Sequence, residues 1–191
     1  MKKNMIVIAG VAVVVAVVGG IAATLLIGNK GASTDSAKEP AQDGFAAKVI
    51  EACDVLTVDI ATTQLGETPT KESIPQTMEY SEDIAVSNCS YTTKFVVGQP
   101  DSLRSVSLFA RSAKTTTGAE ANETAVTGQA PTDAQTVDGY GDAAYWSPSL
   151  GQLNVLKSNN WYIFASGSST DPTKRTLESA KKLADELLKK L

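Results

Sequence analysis

The chain has 191 residues, of which 42% are hydrophobic and 20% charged, so we expect one folded domain with a short appendage. It contains 21 acidic and 17 basic residues, and every acid lies after residue 30, so the folded part should repel the phosphates of nucleic acids. Histidine is absent, which excludes His-dependent catalytic triads and His-containing zinc sites and argues against an enzyme.

The N-terminus predicts a membrane anchor. Residues 5–28 carry no charge, and as a helix they would extend about 36 Å at roughly 1.5 Å per residue, enough to cross a bilayer core of about 30 Å. Lys2 and Lys3 favour the cytoplasmic side, which predicts a cytoplasmic tip at 1–4, a transmembrane signal anchor and an extracellular remainder. The alternative is a signal peptide that is cleaved after Ala22.

Residues 29–42 are small and polar with one proline, and they predict a flexible linker. The folded extracellular domain should therefore occupy 43–191. This topology makes the membrane itself a partner of the chain, through residues 5–28, and places the protein in the cell membrane as a single-pass protein.

Cys53 and Cys89 are the only two cysteines. In the oxidising space outside the membrane we predict that they form a disulfide bond. The bridge would close a loop of about 36 residues and stabilise the domain by on the order of 3–4 kcal/mol. Two distant thiols provide too few ligands for a metal, so we predict no metal site.

Two short helices should open the domain. The segment 44–53 has apolar residues at helical spacing and predicts the first. Thr57 should cap the second, and Gly66 should end it. Its inner face should consist of Val58, Ala61 and Leu65. Residues 67–82 are rich in Thr, Pro, Glu and Ser and predict a loop.

Alternating apolar and polar residues predict strands over 84–97, where Cys89 and Tyr91 share a face, and over 102–112. In the second of these strands one alternating set is the expected core face: Ser102, Arg104, Val106, Leu108 and Ala110. Residues 118–127 predict either a poorly packed helix or a loop, because few of them are large and apolar.

Three more strands are predicted at 143–146, 152–157 and 161–166, and the last is apolar on both faces, as in a central strand. A C-terminal helix should follow, with Asp171 as its cap and Pro172 at its first position. Its apolar stripe, which should lie across the sheet, contains Leu177, Ala180, Leu183, Ala184, Leu187, Leu188 and Leu191.

The predicted fold class is therefore α+β. An antiparallel sheet should pack against the N-terminal short helices and the long C-terminal helix, behind one N-terminal transmembrane helix.

The stretch DGYGDAAYW, at 138–146, has two glycines with the spacing of half a dinucleotide-binding loop. Such a loop leaves a strand and opens a helix, whereas strand-forming residues follow here. We therefore interpret Gly139 and Gly141 as providing backbone freedom where a loop enters a strand. Asp142 should accept hydrogen bonds from loop amides.

Five aromatic residues that are close in sequence form the candidate ligand-binding site: Tyr140, Tyr145, Trp146, Trp161 and Tyr162. Aromatic side chains commonly line ligand grooves. The alternative is that most of them are core or half-buried sheet residues.

The order CDVLT, LG, NCSY and GYGDAAYW, within residues 45–166, resembles a family of small actinobacterial-type envelope lipoproteins that carry a domain of unknown function. The resemblance implies an extracytoplasmic α+β domain with Cys53 and Cys89 at the positions of the family's paired cysteines. This chain lacks the lipidated cysteine that typically follows the apolar stretch in that family, so a transmembrane helix would replace the lipid as the anchor.

The predicted function is a membrane-anchored extracytoplasmic domain that binds a protein partner, a cell-wall fragment or a small ligand at the bacterial envelope. We expect no enzymatic activity, no cofactor and no binding to nucleic acid. One alternative is an accessory structural subunit of a membrane complex. Another is a hydrolase that uses carboxylates alone, which needs two acids about 5–10 Å apart in a cleft, one of them with a raised pKa.

Overall fold

A computed structural model describes residues 45–71 and 77–191. The predicted membrane anchor over 5–28 and the predicted linker over 29–42 lie outside these described residues. Within the described ranges, no helix combines the length and the apolar character that crossing a membrane requires.

One antiparallel sheet of eight strands organises the described part of the chain. The strands are β1 (Thr70–Lys71), β2 (Met78–Glu79), β3 (Ile84–Thr92), β4 (Arg104–Ala113), β5 (Gln135–Thr136), β6 (Ala143–Ser147), β7 (Gln152–Lys157) and β8 (Asn160–Ser168). Their order in the sheet is β1-β3-β4-β8-β7-β6-β5, and β2 also pairs with β3. The long strands β4 and β8 lie in the middle, so the prediction that residues 161–166 form a central strand is confirmed.

Helices cover the two faces of the sheet unequally. The helices are α1 (Ala52–Val55), α2 (Val58–Leu65), α3 (Thr116–Thr127) and α4 (Leu177–Leu187). Helices α1, α2 and α4 pack on the face that carries Leu108, Val155 and Phe164, which we call the closed face. Of the described helices, only α3 packs on the opposite face, which we call the open face.

The closed face contains the main hydrophobic core. The core face predicted for the strand over 102–112 is confirmed at Val106, Leu108 and Ala110, which are fully buried, and is wrong at Ser102, which precedes the strand, and at Arg104, which is partly exposed. Helix α4 contributes the predicted stripe, of which Ala180, Leu183, Ala184 and Leu187 are fully buried. These observations confirm the α+β class and the packing of the C-terminal helix across the sheet.

The first helix is much shorter than the sequence predicts, because 45–51 are not helical and α1 begins at Ala52. Side chains of the sheet bind this segment instead. The amide of Ile50 donates to Ser112 Oγ at 3.0 Å, and the amide of Ala52 donates to Ser87 Oγ at 2.9 Å. In a helix over 44–53 these two amides would instead donate to the carbonyl groups four residues earlier.

Helix α2 matches its predicted range and ends at Gly66, which has a φ of 77° in the left-handed region. Thr57 occupies the N-cap position, but its side chain makes no capping hydrogen bond. The predicted inner face is wrong at Val58, which is 43% exposed, because Ile60 occupies the inner position beside Ala61 and Leu65. The sequence therefore predicts the bounds of α2 correctly, but the helix is rotated about its axis relative to the predicted orientation.

The predicted loop over 67–82 contains β1 and β2, two short strands that pair with β3. The strand predicted over 84–97 ends at Thr92. Of the two alternatives for 118–127, the helix is correct, and Thr115 caps it by accepting a hydrogen bond from the amide of Gly118.

The C-terminal helix starts about one turn later than the sequence predicts. Asp171 and Pro172 begin a short 3-10 turn, Pro172–Lys174, and α4 starts afterwards at Leu177. Thr176 is the cap of α4, because its side chain accepts a hydrogen bond from the amide of Ser179.

Candidate functional site

The disulfide bond joins α1 to the middle of β3. Cys53 and Cys89 are bonded at 2.11 Å, and Cys89 is fully buried in the closed-face core. The predicted pairing is thereby confirmed. Helix α1 has only four residues, so few contacts hold it against the sheet. The disulfide bond adds a covalent link to those contacts.

The loop before β6 has the structural role that the sequence predicts. Gly139 and Gly141 have φ values of 83° and 56°. A Cβ atom at Gly141 would lie 2.1 Å from the carbonyl oxygen of Leu156, so this position requires glycine twice over. The Asp142 carboxylate accepts a hydrogen bond from the amide of Ser158 at 3.0 Å. The loop therefore fixes β6 against the turn between β7 and β8.

A groove of about 550 Å³ lies beside this loop. Its wall combines apolar side chains from α3 and the following loop with Asp138, Tyr140, Asp142 and Tyr145. The hydroxyl of Tyr140 donates a hydrogen bond to the Asp185 carboxylate on α4 at 2.8 Å, which fixes the position of the tyrosine. Burial, together with that hydrogen bond, raises the pKa of Tyr140 to about 12.

The five predicted ligand-binding aromatics do not share one surface. Trp146 and Tyr162 belong to the closed-face core, and Tyr140 packs against its edge. Tyr145 and Trp161 lie on the open face, with Val126 of α3 and Leu156. Neighbouring residues of a strand point to opposite faces, so the pairs 145–146 and 161–162 are necessarily divided. Ligand binding by these residues stays a prediction. Because the five side chains are divided between the two faces, they could only form two separate sites.

Trp161 is the half-buried aromatic residue at the centre of the open face. Its indole Nε1 donates to Asn154 Oδ1 at 3.0 Å, which fixes the ring orientation. The ring of Phe109 meets it edge-on, with 6.5 Å between the ring centroids and 74° between the planes. Ile163 pairs with Phe109 across β4 and β8 and is also half-buried. We call Phe109, Arg111, Trp161 and Ile163 the open-face patch.

Arg111 adds a cation to this patch. Its guanidinium carbon lies 5.7 Å from the centroid of the Trp161 ring, in the range of a cation–π contact. Burial lowers the pKa of Arg111, while the nearby Tyr80 acts in the opposite direction. Among the described residues, no acceptor forms a hydrogen bond or an ion pair with this guanidinium.

Sequence reasoning missed Arg111, because a single charged residue in an alternating strand is typical of a solvated face. The signal that could have found it is its position. Arg111 lies two residues after Phe109 on the same face of the strand, where the remaining residues are the small and uncharged Ser105, Ser107 and Ala113.

Within the described ranges, Asp133 and Asp171 have lowered pKa values. Hydrogen bonds from the backbone and side chain of Ser149 lower the pKa of Asp133, and the side chain of Thr173 lowers that of Asp171. A carboxyl group that acts as a general acid needs the opposite shift. In the described ranges, no group of three or more acidic or cysteine side chains is arranged to hold a metal ion.

No family model matches this chain, and no curated protein or solved structure shows significant similarity to it. The resemblance to the envelope lipoprotein family therefore stays a prediction.

Proposed function

We propose that this chain is a membrane-anchored extracytoplasmic binding domain, which recognises a ligand or partner at the bacterial envelope through the open-face patch. The proposal combines the predicted anchor over 5–28 with the geometry of the sheet. Binding is favoured over catalysis because histidine is missing and both shifted carboxyl groups are more acidic than usual.

The unequal cover of the sheet is the observation that carries this proposal. Three helices bury the closed face, whereas α3 leaves Phe109, Trp161 and Ile163 half-buried on the open face. Contiguous apolar surface of this kind on a folded domain typically marks an interaction site. The neighbouring guanidinium of Arg111 adds a polar group that can orient what binds.

The disulfide bond supports the extracytoplasmic location, because such bonds persist in oxidising compartments and are rare in the cytosol. Location can be tested on the full chain in bacterial cells by fractionation, by protease treatment of spheroplasts, and by thiol labelling before and after reduction. We expect a membrane-bound chain whose domain is digested from outside and whose thiols react only after reduction. A cytosolic chain with two reactive thiols contradicts the proposal.

Binding can be tested with the two tryptophans, because the sheet places one on each face. The variant Trp146→Phe leaves Trp161 as the only indole, and the matched variant Trp161→Phe leaves only the buried Trp146. Both full-length variants are reconstituted in nanodiscs and screened by acrylamide quenching against peptides, sugar oligomers and small organic anions. A ligand of the open face should protect Trp161 and leave the quenching of Trp146 unchanged. If no class protects Trp161, the binding function is wrong.

A second candidate function, the accessory subunit, is favoured by a different surface. The loop between β3 and β4 exposes Phe95, Val96 and Val97, and Val97 is 89% exposed. Leu150, in the turn between β6 and β7, is also exposed and lies at the same end of the sheet. We call Phe95, Val96 and Val97 the apolar loop.

The accessory function predicts that the apolar loop contacts another subunit in the native membrane. Chemical crosslinking of intact cells should give a larger species with the wild-type chain and not with Val97→Asp. Val49→Asp is the matched control, since Val49 is also exposed, at 47%, but lies elsewhere on the domain. Equal crosslinking of all three chains rules out this role for the loop.

A further inference from the structure

The register of the sheet places Arg111 at the middle of an apolar row. Val86 lies opposite Arg111 on β3, and Trp161 lies opposite it on β8. Opposed residues of antiparallel strands share a face, so all three side chains project from the open face. Phe109 lies two residues away along β4, on the same face. The nearest neighbours of Arg111 across and along the sheet on this face are therefore the apolar Val86 and the aromatic Trp161 and Phe109.

The hydrogen-bonding capacity of the Arg111 guanidinium is unused among the described residues. A guanidinium has five N–H donors arranged in a planar fork. The guanidinium carbon lies 5.7 Å from the centroid of the Trp161 ring, and this cation–π contact uses no lone-pair acceptor. The hydrogen bond that Asn122 makes at this residue, at 3.0 Å, goes to the backbone carbonyl and leaves the side chain free. The other arginine of β4, Arg104, contrasts with it, because Arg104 is paired with Glu67 at 3.2 Å.

From this juxtaposition we propose that the open-face patch is a carboxylate-binding site, in which Arg111 holds the carboxylate by a bidentate ion pair and the aromatic residues hold an apolar body attached to it. The proposal rests on the proposed function and specifies the ligand. The planar fork matches a carboxylate in geometry, and the cation–π contact with Trp161 favours its position over the patch.

Charge balance favours a carboxylate over a phosphate. Arg111 is the single cation of the patch, and it is partly removed from water. A monoanion neutralises it fully, whereas a doubly charged phosphate would bring an uncompensated charge against apolar side chains.

The apolar body follows from the charge of the whole chain. With a net charge of −4, the protein repels small anions at long range, so a bare carboxylate would gain little. Contact with Phe109, Trp161 and Ile163 adds apolar burial, which does not depend on charge. Two sources provide this chemistry: a free small molecule, and the terminal carboxylate of a peptide that ends in an apolar residue.

The test uses the full-length Trp146→Phe chain in nanodiscs, with Trp161 emission as the readout. Hydrocinnamate is the probe. Its neutral amide, hydrocinnamide, removes the charge, and phenyl phosphate replaces the carboxylate. A dipeptide ending in Phe, with a free or amidated C-terminus, distinguishes the peptide source. We expect the carboxylate to bind roughly 10–100-fold more tightly than the amide, as a charge-assisted hydrogen bond pair provides.

Arg111→Met, made on the same background, should abolish the preference for the carboxylate over the amide. Arg104→Met is the matched control, since Arg104 lies on the same strand and is paired on the other face; it should bind as the parent does. Arg111→Lys keeps the charge without the fork and should retain part of the affinity, which preserves the test if Arg111→Met does not fold.

Three outcomes overturn the carboxylate site: equal binding of the amide, an unchanged preference in Arg111→Met, or tighter binding of phenyl phosphate. A ligand of another class that protects Trp161 regardless of Arg111 leaves the proposed binding function standing and removes only this inference. If no ligand protects Trp161, both are wrong.

Discussion

The carboxylate of Asp142 accepts a hydrogen bond from the amide of Ser158 at 3.0 Å and so connects two turns at one end of the sheet. Ser158 and the next residue, Asn159, both have positive φ values, of 50° and 68°. This two-residue turn is the kind that joins tightly paired antiparallel strands, here β7 and β8. An external acceptor for its first amide stabilises a backbone conformation that serine adopts rarely.

Replacing Asp142 by Ala should therefore destabilise the domain by about 1 kcal/mol, which lowers Tm by roughly 2–4 °C. Thermal unfolding followed by near-ultraviolet circular dichroism measures the change. Asp138→Ala is the control, because Asp138 is exposed in the same loop. Equal Tm values for the two variants contradict a stabilising role of the Asp142–Ser158 bond.

The two glycines of the same loop should respond differently to alanine. Gly139 has open space where the methyl group of alanine would lie, so Gly139→Ala carries only the conformational cost of positive φ, about 1–2 kcal/mol. Gly141→Ala carries a similar cost and also a clash with the Leu156 carbonyl oxygen. Gly141→Ala should thus have clearly the lower Tm. The opposite order would show that the loop relaxes around the added methyl group.

Removal of the disulfide bond should be the largest of these changes. The bridge closes 36 residues, so Cys53→Ala combined with Cys89→Ala should destabilise the domain by on the order of 3–4 kcal/mol. Reduction of the wild-type chain should produce the same loss, and the reductant should have no effect on the double variant. A reductant-sensitive Tm in the double variant contradicts this account.

The raised pKa of Tyr140 predicts a loss of stability in alkali. Its pKa is about 12 in the folded domain and about 10 in an unfolded chain, so the neutral phenol is favoured by folding. That contribution is complete below pH 10 and is lost as the pH rises to about 12. In Tyr140→Phe the decline of Tm over this interval should be shallower, although burial also raises the pKa of Tyr91, Tyr145 and Tyr162.

Tyr80→Phe provides the control for this pH series, since Tyr80 is exposed and should leave the alkaline decline as in the wild type. An identical slope in Tyr140→Phe and the wild type would mean that the Tyr140–Asp185 bond has no part in folding.

Local pattern is sufficient to predict the long elements. The buried set on β4 and the stripe on α4 follow directly from periods of two and 3.6 residues. The lack of helix over 45–51 depends on distant partners, since the Ile50 amide is bound by a side chain 62 residues away. The pattern of the local sequence gives no sign of this distant hydrogen-bond acceptor. Strands β1 and β2 have two residues each, which is too short for an alternating pattern.

The candidate site is predicted less well, for a reason that the sequence itself contains. Trp161 and Tyr162 are adjacent in a strand and so cannot line the same groove. Applying the alternation that identifies the strand would have divided the aromatic set at once. The importance of Arg111 depends on the absence of a described partner for its side chain, which only three-dimensional contacts reveal.

Residues 48–52 are bound at one end of the sheet. This segment runs along the closed face toward the start of β8, where Asn160 Nδ2 donates to the Lys48 carbonyl. The apolar loop lies beyond the other end of β4, roughly 33 Å away along a strand of ten residues. Phe95, Val96 and Val97 are therefore exposed at the end of the sheet opposite the one where Lys48 is bound.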